Sequence, residues 1–354
     1  MISRRLEEWI TERYDTEALR RVLRAKKVPS HPLEASYFTG GLTLFLFIVQ
    51  FMTGMALSLY YIPHSEYAYK SISDIMTKLN MGWFFRSLHH WGAQLAIVSL
   101  FIHFFTNMLL KSYRKPRELV WVTGFIMIAV LYFFGLSGYF LIWDQRAFTA
   151  IRVATGGAGS LPFIGGAIKV FMRGGIDVTQ ETLTRFYAFH VSILPMISLL
   201  IVGLHVLLVQ VHGMSVPLSL KDREGKPQPF FPNVFYKDLI IWLSATGILV
   251  TLAVIVPVEL GVKADPMAPA PENIKPEWYF LFLFQTLKFF PGQIGLLNGE
   301  TIAITIISLA ILFAIFIPFL DRRSSAGKPS PAYTYIGVFY LLYFVVMTII
   351  GFFY

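Results

Sequence analysis

No cysteine occurs anywhere in the 354 residues. That excludes disulfides, thiolate-bound metals, an iron–sulfur cluster held by this chain and any haem attached through thioether bonds. Charge is scarce as well, at 14% of residues, where a soluble globular protein carries about a quarter. Acidic residues are the scarcer sign, 21 against 30 Lys and Arg, which leaves a formal net charge of +9. In their place stand apolar residues, 55% of the total, and a chain of that composition belongs in a bilayer. Any metal chemistry must rest on His, carboxylates or Met.

Asp, Glu, Lys and Arg are missing altogether from seven stretches: 38–62, 88–110, 119–143, 186–211, 239–257, 301–320 and 330–354. Each reaches the roughly 20 residues that cross a hydrocarbon core as a helix. The expected fold is an all-α integral membrane protein with seven transmembrane helices, a four-helix bundle followed by three helices. Residues 1–27 are charged throughout and show no signal peptide, so the first span should serve as its own insertion signal. Of the 30 cations, 19 lie in the N-terminal segment and the loops 111–117, 221–237 and 322–328. The positive-inside rule therefore places the N-terminus inside and, after seven crossings, Tyr354 outside, as in a bacterial cytoplasmic membrane. This asymmetry accounts for the net charge without a nucleic-acid partner.

The chain divides into four segments. Residues 1–32 form a surface segment, in which 3–27 reads as a cationic amphipathic helix with Trp9, Ile10, Leu19, Val22 and Leu23 as its apolar contacts. Residues 33–218 hold four spans, 219–236 a polar, proline-containing inner linker, and 237–354 the last three spans. The outer loop between the third and fourth spans is long, with seven glycines (156, 157, 159, 165, 166, 174 and 175) around an apolar stretch at 161–172. Loops of that length are usually functional. In the last segment, 265–276 is proline-rich, and 277–290 is apolar but too short to span, so it reads as interfacial or re-entrant.

Four of the eight histidines lie inside two of the spans: His89 and His103 in the second, His190 and His205 in the fourth. Ionisable residues at membrane depth are costly and usually functional. At 100° per residue, a step of 14 returns to within about 40° of the same face and rises about 21 Å, and a step of 15 to within about 60° and about 22 Å. If the two spans face one another antiparallel, His89 meets His190 near the outer side and His103 meets His205 near the inner side. Two bis-histidine haem sites result, with no open iron position for oxygen chemistry, which suits electron transfer. His90 is turned a full 100° from His89, while His31, His64 and His212 fall at membrane edges as surface residues. Gly40 and Gly54 on the first span, and Gly124 and Gly138 on the third, repeat the 14-residue step, where a bare backbone lets a flat ligand approach. Histidines that bond helices together, or that relay protons in a transporter or channel, are the other readings of such residues.

Further motifs resemble one family. Arg86-Ser87-Leu88-His89, the run from Thr184 to His190, Ser137-Gly138-Tyr139 with Trp143-Asp144-Gln145, and Pro276-Glu277-Trp278-Tyr279 resemble the cytochrome b family of cytochrome bc complexes, over about 33–354. The 15-residue step and Lys115-Pro116-Arg117-Glu118-Leu119 look most like cytochrome b6, with the part after Lys237 similar to the separate subunit IV of that branch, here fused. The resemblance implies two non-covalent b-type haems, the lower-potential one on His89 and His190 and the higher-potential one on His103 and His205. It puts Arg86 and Arg185 near haem propionates, for which guanidinium–carboxylate bonding is apt. It makes Glu277 the proton acceptor of an outer quinol site, its proton affinity raised by burial, with Tyr139 and Tyr279 lining that pocket.

As implied activity, quinol is oxidised outside, one electron passing to a Rieske iron–sulfur protein and on to a c-type cytochrome, the other crossing through the haems to reduce quinone inside, with proton translocation. Both redox partners must be other subunits, since the chain has neither thiolates nor a Cys-x-x-Cys-His motif, and a dimeric complex is the family expectation. A haem b anchor of a dehydrogenase or hydrogenase is the rival within the redox class, but such anchors usually lack the Pro-Glu-Trp-Tyr segment. The sequence departs from the family at Phe38, where the photosynthetic branch has a cysteine for an extra covalent haem, which is therefore not expected here. Ile142 stands where proline is usual. Gln210 replaces a basic or imidazole residue expected at the inner quinone site, for which His212 is a candidate substitute.

Overall fold

A computed structural model describes residues 2–14, 21, 26–272, 274–295 and 297–354. Among the described residues, seven helices are long and apolar enough to cross a membrane, and they fall on the seven charge-free stretches. With the shorter helices included, the order is α1 (Ile2–Arg13), α2 (Phe38–Ser58), α3 (Ala68–Lys78), α4 (Gly82–Leu109), α5 (Glu118–Phe140), α6 (Gln145–Gly159) and α7 (Gly165–Arg173). Then come α8 (Gln180–His212), α9 (Phe235–Ile255), α10 (Trp278–Lys288), α11 (Gly299–Leu320) and α12 (Pro331–Phe353). The spans are α2, α4, α5, α8, α9, α11 and α12.

Two of the spanning helices begin well before the charge-free limits. The second span begins six residues early, at Gly82, and carries Arg86 in its second turn. The fourth begins at Gln180, where Thr179 and Thr182 exchange side-chain-to-backbone bonds in a capping box. The long glycine-containing loop is largely helical, as α6 and α7, and α6 starts on the Asp144 carboxylate, which accepts from Ala147 N at 2.8 Å. Trp143, next to the unusual Ile142, takes a left-handed backbone (φ 55°) and is buried against Phe148, ring centres 5.6 Å apart.

The linker is not free either. Its residues Gly225–Pro229 form a strand, β2, antiparallel to β1 (Lys27–Ser30), with Lys27 opposite Pro229 and Val28 opposite Gln228. This pairing ties the N-terminal segment to the passage between the front four spans and the rear three. Trp9 and Ile10 are exposed on α1, while Leu19, Val22 and Leu23 lie outside the described residues. A second short ribbon, β3 (Gln293–Ile294) with β4 (Leu297–Asn298), leads into α11.

Helix α2 packs along α4, and α5 along α8; α9 lies against α4, and α10 against α12. Two aromatic clusters hold these layers. Phe140, Trp143, Phe148, Leu183 and Phe186 join α5, α6 and α8 at the face away from the N-terminus. Phe105, Met108, Tyr113, Trp121 and Ile317 join α4, α5 and α11 at the N-terminal face.

Candidate functional site: four imidazoles on two helices

Helices α4 and α8 present the four span histidines in two pairs. At the far face, the His89 and His190 rings stand 6.3 Å apart, centre to centre, and nearly perpendicular at 82°. Two metal–nitrogen bonds of about 2.0–2.1 Å, with the half-widths of two imidazoles, give a centre-to-centre spacing of about 6.4 Å, close to the one observed. At the N-terminal face, His103 and His205 line a single cavity of about 320 Å³, together with Gly40, Gly124, Asn107 and Arg117.

Each imidazole lies against a glycine of the neighbouring helix. A methyl group built on Gly138 would stand 2.7 Å from His190 Cε1, on Gly40 2.9 Å from His103 Cε1, on Gly54 3.2 Å from His89 Cε1, and on Gly124 3.4 Å from His205 Cε1. A side chain at Gly138, Gly40 or Gly54 would crowd the ring beside it, whereas at Gly124 the methyl would make ordinary contact. The residue before each glycine completes the arrangement. Thr53 Oγ1 meets His89 Nδ1 at 2.9 Å, Thr39 Oγ1 meets His103 Nδ1 at 2.9 Å, Thr123 Oγ1 meets His205 Nδ1 at 2.9 Å, and Ser137 Oγ meets His190 Nδ1 at 3.0 Å.

These hydroxyls have a definite polarity. Each donates its own proton to a carbonyl of its helix or the turn before it: Thr53 to Val49 at 2.8 Å, Thr39 to Ser36 at 2.8 Å, Thr123 to Leu119 at 2.8 Å and Ser137 to Phe133 at 2.6 Å. Only a lone pair is left for the imidazole, so Nδ1 of His89, His190 and His205 donates its N–H and Nε2 keeps the free lone pair that a metal needs; at His103 the Asn107 Nδ2 also lies 3.2 Å from Nδ1. Residues 39–40, 53–54, 123–124 and 137–138 are thus one repeated hydroxyl–glycine pair, of which the 14-residue spacing points only to the glycine. The signal for the rest is present in the sequence as Ser or Thr before all four.

The 15-residue step in α8 has a structural counterpart. Around His190 the helix makes one wide turn, in which Leu194 N–H bonds to Phe189 O, five residues back. Such a turn takes up one residue more than an α-turn, so the step from His190 to His205 turns through nearly the angle of the 14-residue step in α4. Pro195 comes directly after it; it has no N–H to give to the preceding turn, which favours a break in the regular ladder there.

The arginines expected near propionates rest on backbone carbonyls. Arg86 donates to Val258 O at 2.6 Å and Glu259 O at 3.2 Å, and Arg185 donates to Phe171 O. Glu277, Tyr279 and Tyr139 come together between α5 and α10. Burial lifts the Glu277 carboxyl above the ordinary carboxylate range, opposed by a hydrogen bond from Gln94 Nε2 at 3.2 Å. Burial, then the neighbouring Glu277 and Tyr139, raises the Tyr279 phenol above its usual value, and Tyr132 donates to Tyr279 O at 2.9 Å. Gln94 is a site residue that sequence reasoning misses, because a glutamine in a span carries no periodic signal.

His90 stacks edge-on to Trp91 rather than facing the other imidazoles. His31 is not a surface residue: it is 5% exposed, with Nε2 2.7 Å from Tyr37 Oη and Nδ1 accepting from Leu33 N. His64 is exposed and His212 half-buried. Lys26, from the N-terminal segment, donates to Gln210 Oε1 and lies over the Phe230 ring. Burial lowers the proton affinity of Lys26, and nearby Asp238 partly restores it.

Two family models match the chain, one described as cytochrome b/b6/petB over residues 24–213 and one as cytochrome b(C-terminal)/b6/petD over residues 263–353. A "cytochrome bc complex cytochrome b subunit" of Chlorobaculum thiosulfatiphilum is 41% identical over 345 residues, covering 96% of this chain and 79% of that one. "Cytochrome b6" of Acaryochloris marina (strain MBIC 11017) is 39% identical over 211 residues, 60% of this chain and 98% of that one. Among solved structures, a chain of a "hyperthermophilic respiratory Complex III" superposes with a TM-score of 0.80 at 28% identity, covering 98% of both chains.

Proposed function

This chain belongs to the cytochrome b/b6 family, as the cytochrome b subunit of a bc-type complex, and from that premise we propose that it works in a quinol:cytochrome c oxidoreductase. The observation that carries the reading is the repeated unit of imidazole, hydroxyl and glycine at two depths of one bundle. His89 with His190, and His103 with His205, would each hold one non-covalent b-type haem through Nε2, and Arg86 and Arg185 are assigned to the propionates of the far-face haem. When bound, the two haems supply a route for electrons across the membrane.

The chain's own residues do the rest. The four glycines keep space beside the rings, and the four hydroxyls hold each imidazole in one tautomer and one plane. Glu277 takes a proton from quinol at the far face, and the cation asymmetry supports that face as the outer one. Its burial suits that work, because a carboxylate with raised proton affinity is a better base. Tyr139 and Tyr279 wall the pocket, and the buried Tyr279 keeps water from the carboxylate. At the inner face, Lys26, Gln210 and Asp238 form the polar end of a quinone-reducing site. Electrons leave to a Rieske protein and then a c-type cytochrome, both as separate subunits of a dimeric, proton-translocating complex in a bacterial membrane.

A pyridine haemochrome assay on the purified complex should find two b-type haems per chain, and fewer than two would overturn the reading. Replacing Glu277 by Gln should slow quinol oxidation while both haems remain; normal turnover would remove Glu277 as proton acceptor.

A further inference from the structure

We propose that Gln94 is the positioning residue that holds Glu277 in its proton-accepting orientation, an inference that rests on the assignment of Glu277 as that acceptor. Gln94 projects from α4 toward the start of α10, and two consecutive residues grip its carboxamide. Trp278 Nε1 donates to Gln94 Oε1 at 2.6 Å. An indole nitrogen can only donate, so the amide oxygen is pinned toward Trp278 and the amide nitrogen is turned the other way. There Gln94 Nε2 donates to Glu277 Oε2 at 3.2 Å.

The backbone gives Glu277 another choice that it does not take. It stands at the N-cap position of α10, where an acidic side chain usually bonds the free N–H groups of the first turn. It makes no such capping bond. Among the described residues, the side-chain hydrogen bond it does make is the one from Gln94. The carboxylate is therefore held away from its own helix and against α4, at a residue five positions along that helix from the far-face ligand His89.

This arrangement distinguishes the empty acceptor from the loaded one. An amide N–H bonds a carboxylate more strongly than a neutral carboxyl group. The bond thus favours the inward, charged state and slackens once the proton arrives, which frees the side chain to carry it away. The titratable groups that face Glu277 are Tyr139 on α5 and Tyr279 on α10. Among the described residues no cation offsets burial for the charged form, which leaves that part to the Gln94 amide.

The test uses the purified complex and a short-chain quinol that turns over in the parent protein, with reduction of the b-type bands followed against pH. Gln94→Leu should move the acid limb of quinol oxidation upward by about one pH unit, a tenfold change in proton affinity. The double variant Gln94→Leu/Glu277→Gln should be as slow as Glu277→Gln alone, because Gln94 acts through Glu277. An unmoved limb, or rate losses that multiply in the double variant, would overturn the inference. Should Gln94→Leu lack the haem bands, Trp278→Phe carries the same test: releasing the amide oxygen should shift the limb in the same direction by less, and an unmoved limb again overturns it. Normal turnover in Glu277→Gln is a different outcome, which removes the acceptor assignment itself.

Discussion

Among the four glycines that face an imidazole, Gly138 is the tightest, and substitution there tests whether the glycines exist for the rings. An alanine methyl at 138 would lie 2.7 Å from His190 Cε1 and 3.3 Å from both ring nitrogens. Comfortable carbon–carbon contact begins near 3.5 Å, so the ring must retreat by about 0.8 Å. That movement takes Nδ1 away from Ser137, whose bond is 3.0 Å long and worth about 1 kcal/mol. It also drives the side chain off its rotamer, at a further cost of about 1 kcal/mol. On the proposed assignment of His89 and His190 as haem ligands, these together would weaken haem binding there by about 2 kcal/mol, or roughly thirtyfold. Gly124→Ala, where the methyl meets His205 at 3.4 Å, should cost almost nothing. Haem content per chain from pyridine haemochrome, combined with redox titration to separate the two haems, reads both variants. Selective loss or loosening of one haem in Gly138→Ala and full occupancy in Gly124→Ala is the expected pattern; two variants that behave alike would refute the reasoning.

The same geometry sets three further outcomes. Thr53→Val removes the acceptor that His89 Nδ1 uses; as the proposed haem ligand, His89 would become a poorer donor to ferric iron, and potentiometric titration should find that haem's midpoint raised by on the order of 40 mV. An unchanged midpoint would mean that the hydroxyl does not set the imidazole's polarity. Quinol oxidation should fall with falling pH as Glu277 becomes protonated, with a midpoint above the ordinary carboxylate range because burial raises it, and Glu277→Gln should lose that limb at a lower rate throughout. Asp321→Ala strips partners from Tyr113 Oη, Ser330 Oγ and Ser324 N in a site 1% exposed. Each buried group left unpaired costs about 1–3 kcal/mol, so detergent thermal unfolding should begin several degrees lower, and an unshifted transition would show that water replaces the carboxylate.

The spans and the histidine pairs are legible in the sequence because both arise from strong local constraints. A bilayer forbids stray charge over about 20 residues, and a helix fixes which side chains share a face. Helix ends are less legible: Gly82 and Gln180 begin helices outside the charge-free limits, because Arg86 finds loop carbonyls and Thr179 finds Thr182 only once the chain is folded. Glycine spacing reveals the clearance beside each ring, yet the hydroxyl beside each glycine does not stand out, since Ser and Thr in membrane helices usually bond only their own backbone. His31, expected at the surface from its place at a membrane edge, is buried because Tyr37, six positions on, turns back to meet it. Gln94 and Lys26 are invisible to one-dimensional spacing. Their partners, Glu277 and Gln210, are more than 180 positions away, and nothing in an isolated glutamine or lysine announces a distant neighbour.

The wide turn at His190 stores a residue without changing the azimuth of the helix beyond it, and so bears on how such proteins can vary. A deletion of one residue just after His190 would let the helix close into a regular coil and leave His205 pointing where it points now. Ligand spacings of 14 and 15 are then interchangeable solutions of a single angular requirement, and a length difference there carries no information about which metal group is bound.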